Sequence, residues 1–307
     1  MKKDNSHLYE KRGHLTHDFI FFNLQDTTKM QIESHYHDFN KIVIFISGTA
    51  TYYVEGTAYK LKPWDILLIN HDTIHKPIVN TTVPYKRMIL WIRPSFLQNY
   101  NDTKDNLLTC FELADQHKCH LLRIPAEMLT IIQSIFSQMN ATCQNCTFGD
   151  EVLQRSLFLQ LIVYINRVSM DIKKDILLTD IECDETIDKV LKYIDNNIAD
   201  NLSIEKLASV FFLNKYYLMH KFKHHTGCSI HNYVLQKRLI AANQLLKAGQ
   251  SVMTACMDSG FHDYSNFTRA FKKVYGMPPK KYHDCEISKK PIDTIRLPLN
   301  HSNLTDS

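Results

Sequence analysis

Apolar residues follow two different spacings along the chain, one typical of strands and the other typical of helices. In the first third they form short runs rich in β-branched and aromatic side chains. Turn signals such as Ser47-Gly48-Thr49 and Glu55-Gly56-Thr57 separate these runs at intervals of about ten residues. The runs predicted as strands are 19–22, 42–46, 51–54, 66–69 and 88–92. This spacing predicts an all-β first domain built as a sandwich or barrel.

Beyond Pro125 the apolar residues recur at helical spacing. One helix is predicted over 126–139, and a second from Asp150, as its N-cap, to Val168. The second helix is apolar on more than one face. It therefore packs against its own domain or against a partner chain.

The last part of the chain is predicted to be helical after a linker. Residues 169–185 carry mixed charge with little periodicity, which indicates a linker, and helical spacing resumes from Thr186 almost to Tyr282. The tail after Glu286 is rich in Ser, Asn and Pro and is predicted to be disordered.

The composition is typical of a soluble globular protein with two domains. The chain has 307 residues, 44% hydrophobic and 22% charged. It contains no apolar run long enough to span a membrane and no readable secretory signal, so we expect a cytoplasmic protein. Eight scattered cysteines are expected to be reduced, and the lone C-x-x-C of Cys143 and Cys146 is interpreted as two thiols in preference to a metal site.

Positive charge is concentrated in one segment. Residues 206–281 contain twelve Lys or Arg and two acids, a formal charge of +10, whereas the rest of the chain carries −6. This asymmetry is typical of a protein in which one domain meets a polyanion. Charge alone would also fit a membrane surface.

An internal repeat lies inside the basic segment. Residues 203–208 correspond to 251–256 at an offset of 48, and later positions correspond at an offset of 49. The later pairs are Leu218 with Phe267, Phe222 with Phe271, Lys223 with Lys272 and Gly227 with Gly276. Because a one-residue insertion falls most easily in a turn, each unit is predicted to be a helix, a turn and a second helix.

Each repeat has the end signals that two such helices need. Ser203 and Ser251 are suitable N-caps for the first helix of each unit, and Asn214 and Asp263 for the second. Gly260 suits a left-handed backbone at the second turn. The repeats are therefore predicted helix-turn-helix units.

The second helix of each unit has one apolar face and one chemically active face. Leu218 with Phe222, and Phe267 with Phe271, are spaced i, i+4 and should be buried. The opposite faces carry hydrogen-bonding, aromatic and cationic side chains, which suit a reader of the major groove. The predicted DNA-binding residues are Tyr216, Met219, His220, Lys223, Tyr264, Ser265, Thr268, Arg269 and Lys272.

A single helix is predicted between the two units. It runs from about Ile230 to Lys247 and is stopped by Gly249. Its length of about 27 Å is close to the roughly 34 Å between successive major-groove faces on one side of B-DNA. Two reading helices of one chain can therefore reach adjacent grooves.

The basic segment resembles the DNA-binding domain of the AraC/XylS regulators. The resemblance rests on 255–261, on Phe267-Thr268-Arg269-Ala270-Phe271-Lys272-Lys273 and on Tyr275-Gly276-Met277-Pro278-Pro279-Lys280-Lys281-Tyr282. It implies two helix-turn-helix subdomains joined by a helix, a separate sensing or dimerising domain, a homodimer on promoter DNA, and activation through RNA polymerase. Phe212, where a small residue is frequent, and Lys221, where an apolar one is common, depart from the pattern.

The first domain carries a histidine pattern that looks like the two half-motifs of a cupin barrel. His35 and His37 are followed by Lys41, which occupies the position of a metal-binding Glu, and later by His75. A lysine there repels a metal and removes an oxygen ligand, although three imidazoles remain. We therefore predict no metal or other cofactor and a small polar or anionic effector. The predicted ligand-binding residues are His35, His37, Lys41, His75 and Tyr52.

The sequence thus predicts an α+β multidomain regulator without catalytic residues. Its expected parts are a cupin-like sensing domain (1–125), a helical dimerisation segment and linker (126–183), the double helix-turn-helix domain (184–285) and a disordered tail (286–307). Two alternatives stay open, a metal-dependent cupin enzyme fused to a DNA-binding module and a constitutive architectural DNA binder.

Overall fold

The computed structural model describes most of the chain. The described residues are 15, 17–26, 32–80, 82–100, 105–145, 147–171 and 180–289. The chain divides into two compact units, residues 1–240 and 241–307. The side chains of Cys143 and Cys146 and the stretch 290–307, which is most of the predicted tail, lie outside the description. Within the described ranges, none of the helices is long and apolar enough to cross a bilayer.

Nine strands are formed by the described residues. They are β1 (Phe19–Asp26), β2 (Asn40–Ser47), β3 (Ala50–Val54), β4 (Thr57–Lys60), β5 (Ile66–Ile69), β6 (His75–Val79), β7 (Tyr85–Ile92), β8 (Leu121–Leu122) and β9 (Ile181–Glu182). They pair antiparallel in two sheets, ordered β1-β7-β2-β5-β8 and β6-β3-β4-β9. The predicted strand-rich first domain is confirmed, but two helices that were not predicted, Pro94–Gln98 and Thr109–Gln116, also lie within residues 1–125, so the domain is not all-β.

Eleven helices are formed within the same ranges. They are α1 (Pro94–Gln98), α2 (Thr109–Gln116), α3 (Ala126–Asn145), α4 (Asp150–Asp171), α5 (Glu185–Asn196), α6 (Ile204–Val210), α7 (Lys215–Thr226), α8 (Ile230–Lys247), α9 (Val252–Asp258), α10 (Tyr264–Tyr275) and α11 (Pro279–Lys289). The predicted helices after Pro125 and Thr186 are confirmed, and α8 has the predicted bounds.

Both faces of the five-stranded sheet are buried. Alternate residues of each strand point to opposite sides, so one strand contributes to two cores. Ile42 and Ile44 of β2 belong to a core shared with α1 to α4, whereas Val43 and Phe45 belong to a core inside the barrel. The outer core includes the rings of Phe19 and Phe158, stacked with centroids 4.3 Å apart. Helix α4 therefore packs against its own domain.

Several elements differ from the sequence prediction. The predicted linker contributes β9, whose Ile181 pairs with Tyr59 of β4. Strand β6 was not predicted; it contains Pro77 and lies at a sheet edge, where a residue without an N–H is tolerated. Asp150 is the first residue of α4 and accepts from the Thr147 hydroxyl at 3.0 Å, so the prediction that it is the N-cap was wrong.

The unit 241–307 has its own aromatic core. Phe267 and Phe271 of α10 are fully buried, with ring centroids 5.5 Å apart. Tyr282 of α11 lies 5.5 Å from the rings of both Phe271 and Tyr275. Helix α11 continues to Lys289, inside the segment predicted as a tail. The core fixes α10 against α9 and α11, so the outer face of α10 has a defined orientation.

Candidate functional site

The first helix-turn-helix unit consists of α6, a turn at 211–212 and α7. The Ser203 hydroxyl accepts from the backbone N–H of Lys206, and the Asn214 side chain accepts from the N–H of Tyr216. Both predicted N-caps are confirmed, and each satisfies an N–H group that the helix itself leaves free. Leu218 and Phe222 are fully buried as predicted.

The second unit consists of α9, a turn at Gly260 and α10. Ser251 accepts from the N–H of Thr254 at 3.1 Å, and Asp263 accepts from the N–H of Asn266 at 2.7 Å. These caps are also confirmed. The two units thus share one construction, as the repeat predicted.

The turns of the two units each contain a residue with a left-handed backbone conformation, but the residue types differ. Gly260 has φ +85°, the left-handed conformation predicted for it, and Phe212 in the first unit has φ +53°. A side chain in this region meets a steric penalty that glycine avoids. The Phe212 side chain is 95% exposed, so it gains no packing in return.

The predicted DNA-binding residues lie on the outer faces of α7 and α10. All are exposed except Thr268, which is half-buried and whose Oγ1 is enclosed without a hydrogen-bond partner in the described region. The Arg269 guanidinium donates a hydrogen bond to the Asn266 side-chain oxygen. The exposed members are Tyr216, Met219, His220, Lys223, Tyr264, Ser265, Arg269 and Lys272.

A third face of α7 packs against the start of α5. The Lys221 ammonium lies 3.0 Å from Asp184 Oδ2 and donates to the Tyr217 hydroxyl at 3.2 Å. The other Asp184 oxygen accepts from the N–H of Ile187 and caps α5. Burial acts to raise the pKa of Asp184, but the hydrogen bonds from Lys221 and Ile187 bring it below its ordinary value. The unusual Lys221 is therefore an ion-pair partner.

Three of the predicted effector residues form a tight histidine cluster in the first domain. The ligand atoms of His35, His37 and His75 lie within 4.8 Å of one another. His35 and His75 exchange backbone hydrogen bonds of 3.1 and 2.9 Å, which fix the loop before β2 to the start of β6. His37 and His75 are buried.

The ring nitrogens of the cluster are oriented by backbone carbonyls. Nδ1 of His75 lies 2.9 Å from the Thr73 oxygen and Nδ1 of His35 lies 2.8 Å from the Glu33 oxygen, so each neutral ring carries its proton on Nδ1. Nε2 of His75 then accepts from the Lys41 ammonium at 3.4 Å. Neither ring nitrogen of His37 has a hydrogen-bond partner among the described residues. The backbone of Phe39 acts to raise the pKa of His37, but burial lowers it by more.

Burial dominates the electrostatics of this cluster. It lowers the pKa of His37 and His75 well below the ordinary value, and the charges of Lys41 and His35 add to the shift. Burial, followed by the charge of Arg87, lowers the pKa of Lys41 to about 7. At neutral pH the two buried imidazoles are uncharged, and Lys41 is poised to gain or lose a proton.

Tyr52 reaches this cluster through other residues of the barrel interior. Its hydroxyl lies 3.1 Å from that of Tyr85, and the Arg87 guanidinium lies 4.4 Å above the Tyr85 ring. In the strand register Tyr52 is opposite Pro77, so it shares a face with His75. Arg87 is almost fully buried and pairs with Asp26.

Two residues of the barrel interior, Arg87 and Trp91, were not among the predicted effector residues. Arg87 precedes the run predicted as a strand, yet it continues the inward alternation of Ile89 and Trp91. Trp91 lies opposite Lys41, and its buried Nε1 has no hydrogen-bond partner in the described part of the chain. The alternation was the signal for Arg87, but the predicted run began at Met88, three residues after the start of β7 at Tyr85.

The carboxylate of Glu55 connects the barrel to α8. Oε1 accepts from the N–H of Ile74, the neighbour of His75, at 2.9 Å. Oε2 accepts from the Tyr233 phenol at 2.5 Å and lies 3.1 Å from the Lys237 ammonium. Burial, followed by the charge of Glu55, raises the pKa of Tyr233 well above its ordinary value. The phenol therefore remains the donor.

Further contacts join the barrel to α5, to α8 and to the first helix-turn-helix unit, which we call the first reading unit. Gln236 donates to the carbonyl of Ser34 at 3.0 Å, and Lys76 donates to the carbonyl of Gly227, the C-cap of α7, at 2.8 Å. A Cβ on Gly56 would lie 2.3 Å from Leu191 Cδ1 of α5, so this turn needs glycine. The residues next to His35 and His75 thus contact α8 and the C-terminal end of α7.

The histidine cluster does not fit a divalent metal well. Three imidazoles are a common donor set, but Lys41 already donates to Nε2 of His75, one of the three ligand atoms. An ammonium at this distance also opposes a second cation. The same groups suit an anion or a polar ligand.

Comparisons with known proteins agree with this construction. Residues 24–162 match the family described as the AraC-like ligand binding domain, and residues 207–284 match a helix-turn-helix domain. The HTH-type transcriptional activator RhaS of Enterobacter sp. (strain 638) is 26% identical over 250 residues, which are 80% of this chain and 86% of that protein. The multiple antibiotic resistance protein MarA of Salmonella typhimurium is 30% identical over 119 residues, 38% of this chain and 92% of that protein.

A solved structure of ToxT from Vibrio cholerae, in its apo form, is 16% identical, covers 88% of this chain and 98% of its own, and has a TM-score of 0.36. The MarA match extends over nearly the whole of that relative, and the two family matches cover the barrel and the repeated helices. This chain belongs to the AraC/XylS family and is a DNA-binding transcription regulator with a ligand-binding domain.

Proposed function

We propose that this regulator activates transcription when its barrel binds a small anionic or polar metabolite. The effector site comprises His35, His37, Lys41 and His75, with Tyr52 deeper in the barrel. The outer faces of α7 and α10 read the promoter through the nine residues predicted from the sequence. We keep the division into 1–125, 126–183, 184–285 and 286–307 as a functional proposal.

The buried ammonium of Lys41 carries the proposal for the effector. Lys41 is 7% exposed, and no carboxylate pairs with it in the described part of the chain. An enclosed cation without a counterion is costly, and a bound anion removes that cost. Arg87, although paired with Asp26, adds to the positive potential at Lys41. The ring nitrogens of His37, which have no partner among the described residues, offer further hydrogen bonds.

The contacts of Glu55 support a route from the effector to DNA. An anion drawn to Lys41 and His75 would shift the start of β6, and Ile74 beside it is hydrogen-bonded to Glu55. Glu55 in turn holds Tyr233 and Lys237 of α8. A change at the cluster can therefore bias the position of the first reading unit.

Calorimetric titration with small carboxylates and organic phosphates tests the effector. We expect one member of the panel to bind wild-type protein and the affinity to fall at least about tenfold in Lys41→Met. Lys62→Met, on the exposed side of the barrel, is the matched control. Equal affinity of Lys41→Met and wild type for the anion would show that the anion does not bind at Lys41 in the barrel interior.

The remaining parts of the proposal follow from the relatives. RhaS is named a transcriptional activator, which supports activation. We also propose contact with RNA polymerase and a homodimer without enzymatic activity, as the family resemblance implies. A fluorescent promoter fragment and an in vitro transcription assay test the direction. A transcript level that falls on addition of protein and effector would make this chain a repressor.

A metal-dependent cupin enzyme is the second candidate, because three histidine ligand atoms lie within 4.8 Å of one another. Elemental analysis of protein purified without chelators separates the two. Stoichiometric metal that is lost in His37→Ala would favour the enzyme. Metal-free protein that binds an anion would favour the sensor.

A further inference from the structure

A cavity of about 780 Å³ lies outside the histidine cluster, on the other side of the β3–β4 turn. We call it the α2–α5 cavity. Its wall is formed by residues of the β3–β4 turn, β4, β5, α2, β8, α4, β9 and α5, and none of the predicted effector residues lines it. The wall residues that carry the argument are Leu68, Leu113, Ala114, Leu121, Ile181 and Leu191.

The size of the cavity suits a small molecule. Pockets that bind drug-sized ligands measure about 300–1,000 Å³ and are lined mainly by apolar side chains with a few polar groups. The α2–α5 cavity lies within this range and is mainly apolar inside. Burying apolar surface of a ligand there is favourable because that surface leaves water.

The carboxylates and the lysine that line the cavity already have partners. Glu55 lies 3.1 Å from Lys237. Lys118 lies 2.9 Å from Asp188, and Glu185 lies 2.7 Å from Lys189. Asp184 pairs with Lys221. An ionic ligand would have to break one of these pairs to find a counterion, whereas an uncharged ligand leaves them intact.

We propose that the α2–α5 cavity is a second binding site, and that it takes an uncharged, largely apolar small molecule. Such a ligand contacts α2 and β8 of the sensing domain. It also contacts Leu191 of α5, the helix that precedes the first reading unit. Leu191 also packs against the turn at Gly56, so the ligand lies at a junction of the two parts. The cavity is separate from the proposed anion-binding residues, but its wall includes Glu55, which belongs to the proposed route from the barrel to α8.

The uncharged fluorescent probe N-phenyl-1-naphthylamine tests the cavity in the full-length protein. We expect its emission to rise on binding and its affinity to fall at least about tenfold in Ala114→Trp, which fills the cavity. Gln116→Trp, on the exposed side of α2, is the matched control and should bind like wild type. Leu113→Trp, at a half-buried wall position, replaces Ala114→Trp if that variant does not fold.

Two results would overturn the proposal. Probe emission that stays flat with wild-type protein would mean that the chain itself closes the cavity. Binding that survives both wall variants but is lost in Lys41→Met would place the probe in the barrel interior instead. Saturable binding that is lost only in the wall variants supports the second site.

Discussion

The Tyr233 phenol of α8 donates a hydrogen bond of 2.5 Å to the Glu55 carboxylate, whose other oxygen accepts from the backbone beside His75. One side chain thus joins the backbone next to the effector cluster to α8, whose Tyr233 ring lies 5.5 Å from Phe222 of α7. Because the carboxylate is bonded on both sides, movement of either partner changes the strain on the other.

Tyr233→Phe tests this connection. The variant keeps the ring, which packs on Phe222, and loses only the hydroxyl. We expect the free energy of unfolding to fall by about 1–3 kcal/mol, because a hydrogen bond to a charged group is lost. We also expect the ratio of DNA affinities with and without effector to approach one.

Tyr59→Phe is the control for that experiment, since its buried hydroxyl donates to the Lys118 carbonyl and accepts from the N–H of His120, both in the first domain. It should lose stability but keep the effector response. A full response in Tyr233→Phe would show that the signal takes another route.

Lys41 should make stability depend on pH. Its pKa is lowered from 10.5 to about 7 in the folded protein, so between these values the unfolded chain binds more protons than the native one. Burying the charged form destabilises the fold fully below pH 7, and this cost fades as the pH rises toward 10.5. Lys41→Met should therefore be more stable than wild type at pH 6, with the difference shrinking at pH 9 to 10.

Urea unfolding of wild type and Lys41→Met at several pH values measures this effect. Lys62→Met, at an exposed ion pair with Asp180, should show no comparable pH dependence. A constant difference between wild type and Lys41→Met across the range would mean that Lys41 is not desolvated.

Asp184 has two roles that can be separated. Asp184→Asn keeps a side-chain acceptor for the N–H of Ile187 but loses the charge opposite Lys221. Asp184→Ala loses both. Since Asn caps helices about as well as Asp, we expect Asp184→Ala to be less stable than Asp184→Asn by about 1 kcal/mol.

The same pair has a pH signature. The pKa of Asp184 lies below its ordinary value, so its contribution to stability is present above that value and is lost as the pH falls through the lower folded pKa. Both variants should lose this part of the acid sensitivity in thermal unfolding scans. Equal stability of Asp184→Asn and Asp184→Ala would show that the Asp184 side chain does not stabilise α5 as its N-cap.

Phe212 should be a site of stored backbone strain. It holds φ +53° with its side chain 95% exposed. Phe212→Gly should raise the free energy of unfolding by up to about 1 kcal/mol, because glycine adopts this conformation without the steric penalty. Gly260→Ala, at φ +85° in the second unit, should change it in the opposite direction. A destabilised Phe212→Gly would show that the ring packs in solution.

The helix-turn-helix units could be predicted in detail because their signals are local. A cap such as Ser203 or Asp263 acts on an N–H three residues away, and the pairs Leu218–Phe222 and Phe267–Phe271 repeat at one helical turn. Each of these features is complete within a few residues of sequence.

The barrel was less predictable because its decisive contacts are distant in sequence. Strands β8 and β9 have two residues each, and their pairing with β5 and β4 leaves no periodicity to detect. The histidine pattern indicated the cluster, but the bond between Glu55 and Tyr233 joins residues 178 positions apart. Only folding brings such groups together.

Selection of double-stranded DNA from a random pool at low ionic strength, followed by titration of the selected sequence, tests the central claim most directly. We expect wild-type protein to enrich one sequence, and Arg269→Ala and His220→Ala each to weaken its binding by about 1–3 kcal/mol. Lys189→Ala, an exposed lysine of α5 paired with Glu185, should bind like wild type. A pool without enrichment, or equal binding by all these proteins, would contradict the assignment of α7 and α10 as the helices that read DNA.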